Sequence, residues 1–387
     1  MSQSFKWEPS KGKHGGFSGP AIVEHGVMCD VCHTISDTNV HTTKMIEHGN
    51  ASFVASPGKV KRGPLRDAKS PYHQTAYSDL HTKAEFCGNC HNVFNPLTNF
   101  PLERTYDEWK YSVYAQNDVQ CQDCHMVPLE TAIEVADTLT PAKRLKDNKL
   151  SGFAGLGAAN KRDLVHAHGF VGGNAVITAA MGDSAAIEHA ELAKKRLKSA
   201  AAVELSLKPP KGQGPLRKLE VKVINKRAGH HIPTSLTYIR QIWLDVTVTD
   251  DKGNVLLRSG ALDAHNEIDP DAVVFQAKAV DTEGKPANSI WTIARFATRN
   301  TIPPKGYQTG KYWFNLPQGV DQINVVAKLN YRSFSQHMAD NLLGEGKVEV
   351  PFVEMVKVEH SYAGKELTAA HVDTPAQVAH TETVAVE

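Results

Sequence analysis

All six cysteines of this 387-residue chain fall in three Cys-x-x-Cys-His pentapeptides: Cys29-Asp30-Val31-Cys32-His33, Cys87-Gly88-Asn89-Cys90-His91 and Cys121-Gln122-Asp123-Cys124-His125. Two thiols at this spacing reach the two vinyl groups on one porphyrin edge, and the histidine that follows comes up beneath the iron as an axial ligand. The pentapeptides therefore predict three covalently attached c-type haems. Cys29 and Cys32, Cys87 and Cys90, and Cys121 and Cys124 are the thioether anchors, and His33, His91 and His125 the iron ligands. Zinc knuckles are the competing chemistry, since Cys-x-x-Cys is also a zinc half-site. Zinc would pair two half-sites and strand the third, and it has no need of a histidine directly after every second cysteine.

The chain has nineteen histidines, nine of them in its first 125 residues, where three suffice as proximal ligands. The surplus points to a second axial ligand for each iron. His25, four residues before Cys29, is one candidate; the pair in the glycine-rich run His166-Ala167-His168-Gly169-Phe170-Val171-Gly172-Gly173-Asn174 can reach back from beyond the last pentapeptide. Two imidazoles on one iron favour electron transfer and leave no open position for substrate.

The elements that must position these residues read as two kinds of chain. Residues 1 to 28 are rich in Gly, Ser, Lys and Pro and read as an arm. The 53 residues between the first two pentapeptides, with His41, His48, His73 and His81, show weak periodicity, as expected where porphyrin replaces a side-chain core. Thr105 to Tyr114 reads as a helix with a Thr cap and Glu108 at the capping-box position, delivering the chain to Cys121. Residues 183 to 203 give the clearest helical spacing. From about 204 the period becomes two: 219 to 225, then 242 to 248 and 254 to 257 across the hairpin signal Asp250-Asp251-Lys252-Gly253. Runs at 273 to 279, 290 to 297, 311 to 316, 323 to 331 and 347 to 358 bring the count to about eight strands. The expected fold class is α+β. A loop- and helix-rich trihaem domain (1–145) is followed by a distal-ligand loop and helix (146–203), an antiparallel β-sandwich (204–362) and a mobile tail (363–387).

Composition is that of an ordinary globular chain, 41% hydrophobic and 22% charged, and a formal net charge of +1 without a basic stripe argues against nucleic acid as a partner. No transmembrane segment is present, and Met1 to Pro9 lacks the regions of a signal peptide. Covalent haem attachment occurs outside the cytoplasm, so a removed leader and a periplasmic or extracellular location are expected.

Several passages resemble the multihaem cytochrome c family that contains the tetrahaem cytochromes of ammonia oxidisers and subunits of extracellular cytochrome filaments. They are Gly26-Val27-Met28 with the first pentapeptide, Phe86 with the second, and Glu108-Trp109-Lys110 leading to the third and Met126. The likeness continues in His168-Gly169-Phe170-Val171-Gly172-Gly173-Asn174 and Gly229-His230-His231-Ile232-Pro233-Thr234, and covers most of residues 20 to 360. It implies bis-histidine, low-spin haems with distal ligands at the matching positions His73, His168 and His230; His230 as a ligand would cross-link the two domains through iron. Tetrahaem members carry a further pentapeptide ahead of the first one here, whereas residues 1 to 28 hold no cysteine. This chain therefore has three haems or begins after the missing motif.

Three function classes follow. The leading one is electron transfer, either as a shuttle or as a filament subunit forming a homo-oligomer with inter-subunit haem contacts; other redox proteins are the partners. The alternative is a multihaem oxidoreductase with one open haem acting on a nitrogen or sulfur oxyanion, which needs an exchangeable iron site, and no Cys-x-x-Cys-Lys variant is present. In the third the β-sandwich docks a redox partner. Its acidic loop, with Asp263, Glu267, Asp269 and Asp271, could hold calcium or steer that partner, and reads first as a solvated loop.

Overall fold

In the computed structural model the chain forms two compact units, Met1–Val171 with Ile177–Ala190, and Gly172–Val176 with Glu191–Glu387. The structure describes residues 6–7, 17–18, 29–42, 46–146, 150–154, 160–180, 184–208, 214–287, 289–367 and 372–373. His25 lies outside them.

The first unit is built from short helices. These are α1 (Cys29–His33), α2 (Ala84–Gly88), α3 (Thr105–Lys110), α4 (Val113–Gln116), α5 (Gln122–His125) and α6 (Leu129–Thr138). Short ladders join them: Ile35–Thr38 with Phe53–Ala55, Val60–Gly63 in parallel with Gln74–Tyr77, and Val93–Phe94 with Pro101–Glu103. Its apolar core gathers Ala84, Tyr106, Trp109, Tyr114, Val135 and their neighbours, all from the chain around the second and third pentapeptides.

The single helix expected over Thr105 to Tyr114 is two. Arg104 holds the cap position with no side-chain bond, Thr105 is the first helical residue, and Glu108 is buried. The chain leaves the helix at Tyr111 because the Ser112 hydroxyl accepts the Tyr114 N–H at 3.2 Å, capping α4 afresh. Trp109 stays pinned between the two by donating its indole N–H to the Val119 carbonyl at 2.7 Å.

Two more helices follow, α7 (Val176–Ala180) and α8 (Ser184–Ala200). The helical pattern to residue 203 stops at Ala200, since Ala201, Ala202 and Val203 are fully buried and pair with Asn225, Ile224 and Val223. Strand pairing overrides the helix preference of two alanines.

The second unit holds eleven described strands. They are β1 (Ala201–Lys208), β2 (Leu216–Asn225), β3 (Gln241–Asp250), β4 (Val255–Ser259), β5 (Val274–Phe275) and β6 (Ala277–Val280). After them come β7 (Arg295–Arg299), β8 (Tyr307–Asn315), β9 (Gln322–Arg332), β10 (Val353–Ala363) and β11 (Val372–Asp373). One antiparallel sheet runs β8-β2-β1-β11; another runs β4-β3-β9-β10 with β5 on β3; β6 and β7 form a separate hairpin. Leu205 and Val221 from one sheet and Leu244, Val246, Val325 and Val358 from the other share a single buried cluster, as the alternation requires. At Gly260 (φ +84°) a Cβ would sit 2.0 Å from the Leu244 carbonyl, so only glycine fits there.

Some boundaries differ from the sequence pattern. β7 begins at Arg295 and β10 at Val353, and helix α9 (Gln336–Leu343) is capped by the Ser335 hydroxyl, which accepts the Met338 N–H at 3.1 Å. The chain after 363 is not simply a loose end: Leu367 is buried in the 3-10 turn Gly364–Leu367, and Val372 pairs with Leu207. Residues 374–387 lie outside the described residues.

Candidate functional site

The three pentapeptides all lie in the first unit, and each is held by its own local device. In α1, the Thr34 hydroxyl and N–H both donate to the Asp30 carbonyl, at 2.6 and 3.2 Å, and end the helix directly after His33. Lys61 pairs with Asp30 at 2.9 Å. The parallel ladder that carries Lys61 also presents the Arg62 carbonyl to His33 Nδ1 at 2.5 Å.

In the second pentapeptide, Gly88 is needed because a Cβ there would lie 2.7 Å from the Tyr106 ring. Asn89 is fully buried, and its Oδ1 accepts the Ser52 hydroxyl at 3.2 Å and faces His48 Nδ1 at 3.4 Å. His91 Nδ1 faces Glu103 Oε1 at 3.4 Å, and this carboxylate pushes the imidazole pKa up, against the opposing effect of burial.

The third pentapeptide is tied to the second by Gln122, whose amide donates to the Lys83 and His81 carbonyls at 2.9 and 3.3 Å. Asp123 accepts the N–H groups of Gln120 and Ala142 at 2.8 and 2.9 Å, while burial pushes its carboxyl pKa up. His125 Nδ1 lies 2.9 Å from the Val171 carbonyl.

One feature is common to all three. Each pentapeptide histidine turns Nδ1 to an oxygen acceptor, Arg62 O, Glu103 Oε1 or Val171 O. With the proton on Nδ1, Nε2 is left with its lone pair, the arrangement a haem ligand requires. None of the six cysteines is in a disulfide. Cys87 and Cys121 meet in a hydrogen bond, which with burial raises the Cys121 thiol well above the ordinary cysteine range. Burial raises Cys32, with Cys87 and Cys90 adding to it. The donor set, two thiols and a pre-oriented imidazole three times over, fits covalently bound haem.

The distal candidates separate. His168 places its ring centroid 6.2 Å from that of His33. Two imidazoles trans on one iron, each bound at about 2 Å, have centroids about 6 Å apart, so this spacing suits a shared metal. His81, which periodicity left without a role, lies 5.7 Å from His33 with the rings 19° apart. Its Nε2 contacts the Cys32 carbonyl at 3.1 Å, and its buried Nδ1 has no hydrogen-bond partner. Burial lowers its pKa and that of His168. Only proximity in the folded chain reveals His81. His73, like His168, is exposed, and its Nδ1 lies 3.0 Å from the carbonyl of its neighbour Gln74. His166 is half-buried beside Asp123, its Nδ1 unpartnered.

His230 belongs to the second unit, on a loop held by the fully buried Asn225. That amide donates to the His230 and Ile302 carbonyls at 2.8 and 3.1 Å and accepts the Ala228 N–H at 3.0 Å. The adjacent His231 sits 2.8 Å from the Thr301 hydroxyl, and burial, with Arg299 and His230, lowers its pKa to about 4.

The acidic loop is occupied with its own chain. Asp263 accepts the N–H groups of His265 and Glu267 at 2.8 Å each, Asp269 those of Gly260 and Asp271 at 3.0 Å each, and Glu267 that of His337 at 2.6 Å. Among the described residues no helix is long and apolar enough to cross a membrane.

No protein-family model matches the sequence, and no curated protein matches it. Among solved structures the chain is similar to a penta-haem cytochrome c552 from Thermochromatium tepidum, with a TM-score of 0.58 and 18% identity, covering 86% of this chain and 76% of that one. At that identity the likeness is one of fold.

Proposed function

We propose that this protein is a multihaem c-type cytochrome that transfers electrons through three covalently attached haems. The observation that carries the reading is the repeated Nδ1 anchoring of His33, His91 and His125 beside cysteine pairs that form no disulfide. Fold similarity to a penta-haem cytochrome supports it, with three pentapeptides here against the five haems that protein's description records.

Bound haem supplies a one-electron iron couple. The chain's part is to hold each porphyrin by two thioethers, to direct Nε2 at its iron, and to keep the attachment points close to one another. Cys87 against Cys121, and Gln122 bonded to Lys83 and His81, bring the second and third pentapeptides together; the His33 and His81 rings do the same for the first. Short separation between haems is what makes electron transfer along them fast.

Within this reading His168 would help His33 hold the iron of the haem on Cys29 and Cys32, by virtue of the 6.2 Å ring spacing. His73 remains the candidate for another of the irons. Haem attachment outside the cytoplasm makes the working location periplasmic or extracellular, with other redox proteins as partners.

The test is a low-temperature EPR spectrum of the ferric protein with a carbon monoxide difference spectrum of the reduced form. Low-spin signals alone and no carbon monoxide shift are expected. A high-spin haem that takes up carbon monoxide would favour the oxidoreductase reading instead. His168→Ala should convert one haem of the three to that high-spin state.

A further inference from the structure

The three pentapeptide histidines differ in what their Nδ1 faces. His33 and His125 face neutral backbone carbonyls, of Arg62 and Val171; His91 faces a carboxylate. Glu103 is buried, its side chain only 11% exposed. Its placement is built in: the ladder that pairs Val93 with Glu103 folds the chain back on His91. Asn95 shapes the turn between them, its Oδ1 accepting the N–H groups of Leu97 and Thr98 at 2.8 and 3.2 Å. The Thr105 hydroxyl donates to Glu103 Oε1 at 3.4 Å. The neighbouring cation does not neutralise this charge, since Arg104 is paired with Asp107.

A carboxylate that shares the Nδ1 proton makes the imidazole more basic, and a more basic ligand stabilises ferric over ferrous iron. At 3.4 Å the contact lies at the long end of a hydrogen bond, so charge contributes along with proton sharing. Reduction adds one electron to the iron and breaks no bond; a fixed negative charge at the ligand opposes that electron. We propose that Glu103 is a positioning residue that acts through His91 to make the haem on Cys87 and Cys90 the hardest of the three to reduce. The inference rests on the haem reading above.

The experiment is a reductive titration of the secreted holoprotein with dithionite as electron donor, followed optically, on the unaltered chain and on Glu103→Gln and Glu103→Asp. Covalent haem is counted first. A preparation without it would overturn the haem reading, and this inference with it. With three haems present, Glu103→Gln should raise one midpoint potential and leave the other two in place, and Glu103→Asp, which keeps the charge, should restore most of the shift. Unmoved potentials, or three equal shifts, would overturn the role of Glu103. Should Glu103→Gln fail to mature, the ferric EPR spectrum of the unaltered protein decides: one haem with the narrower spread of g-values given by a more anionic imidazole supports the inference, and three alike overturn it.

Discussion

The second unit buries its strands against one another, whereas the first leaves its chemistry-bearing residues half open on helices of four or five residues. Trp243, Leu205, Leu219, Ile242 and Leu244 are all fully enclosed in the second unit; in the first, Tyr114 is the one comparably large side chain so enclosed among the described residues. Cys29, Cys90 and Val31, at the heart of the first unit's chemistry, are exposed. The difference teaches that side-chain burial accounts for the second unit, while the first has a smaller apolar core and, on the proposed reading, would be completed by the haems its cysteines and histidines hold.

The strongest way to break this comparison is to prevent attachment. With Ser at all six cysteine positions, the first unit should lose resistance to limited proteolysis while fragments spanning 191–367 persist. Equal survival of both units would refute the contrast. Next in size, Leu244→Ala removes a fully buried side chain between the two sheets and should cost about 2–5 kcal/mol in denaturant unfolding without altering the haem spectrum. Asn225→Ala removes the amide's bonds to the His230 and Ile302 carbonyls and to the Ala228 N–H from a fully buried position and should cost about 1–3 kcal/mol.

The smallest effect belongs to the outer face of the first sheet. Hydrogen bonds from Lys208 and Lys218 hold the Glu220 carboxyl at about 2, below its ordinary value. A folded-state pKa below the unfolded one contributes stability above the ordinary glutamate range, and that contribution fades as pH falls toward the folded value. Glu220→Gln should therefore lower stability at neutral pH by less than about 1 kcal/mol, and the gap between the two proteins should close near pH 2. Melting curves at the two pH values check it.

How much was legible in the sequence follows the same divide. The pentapeptides announce themselves because chemistry dictates their spacing, and most of the long strands do because one face of each is buried. Ala201-Ala202 gave no such signal, since alanine favours helix until pairing with β2 decides otherwise. Ser112 splitting a helix, and Ser335 starting one, turn on single hydroxyl bonds that periodicity does not record. The contacts of His33 with His168 and His81, and of His91 with Glu103, join residues with no periodic relation and exist only once short ladders have formed. His73, carried over by resemblance alone, is exposed, and its Nδ1 faces only the carbonyl of its own neighbour Gln74.

The most direct test of the central claim is the intact mass of the denatured protein, produced where c-type haem is attached. Three covalent haem increments on one chain are expected, surviving acid and organic solvent as thioethers do. A bare chain, or one that sheds its porphyrin under those conditions, would contradict it.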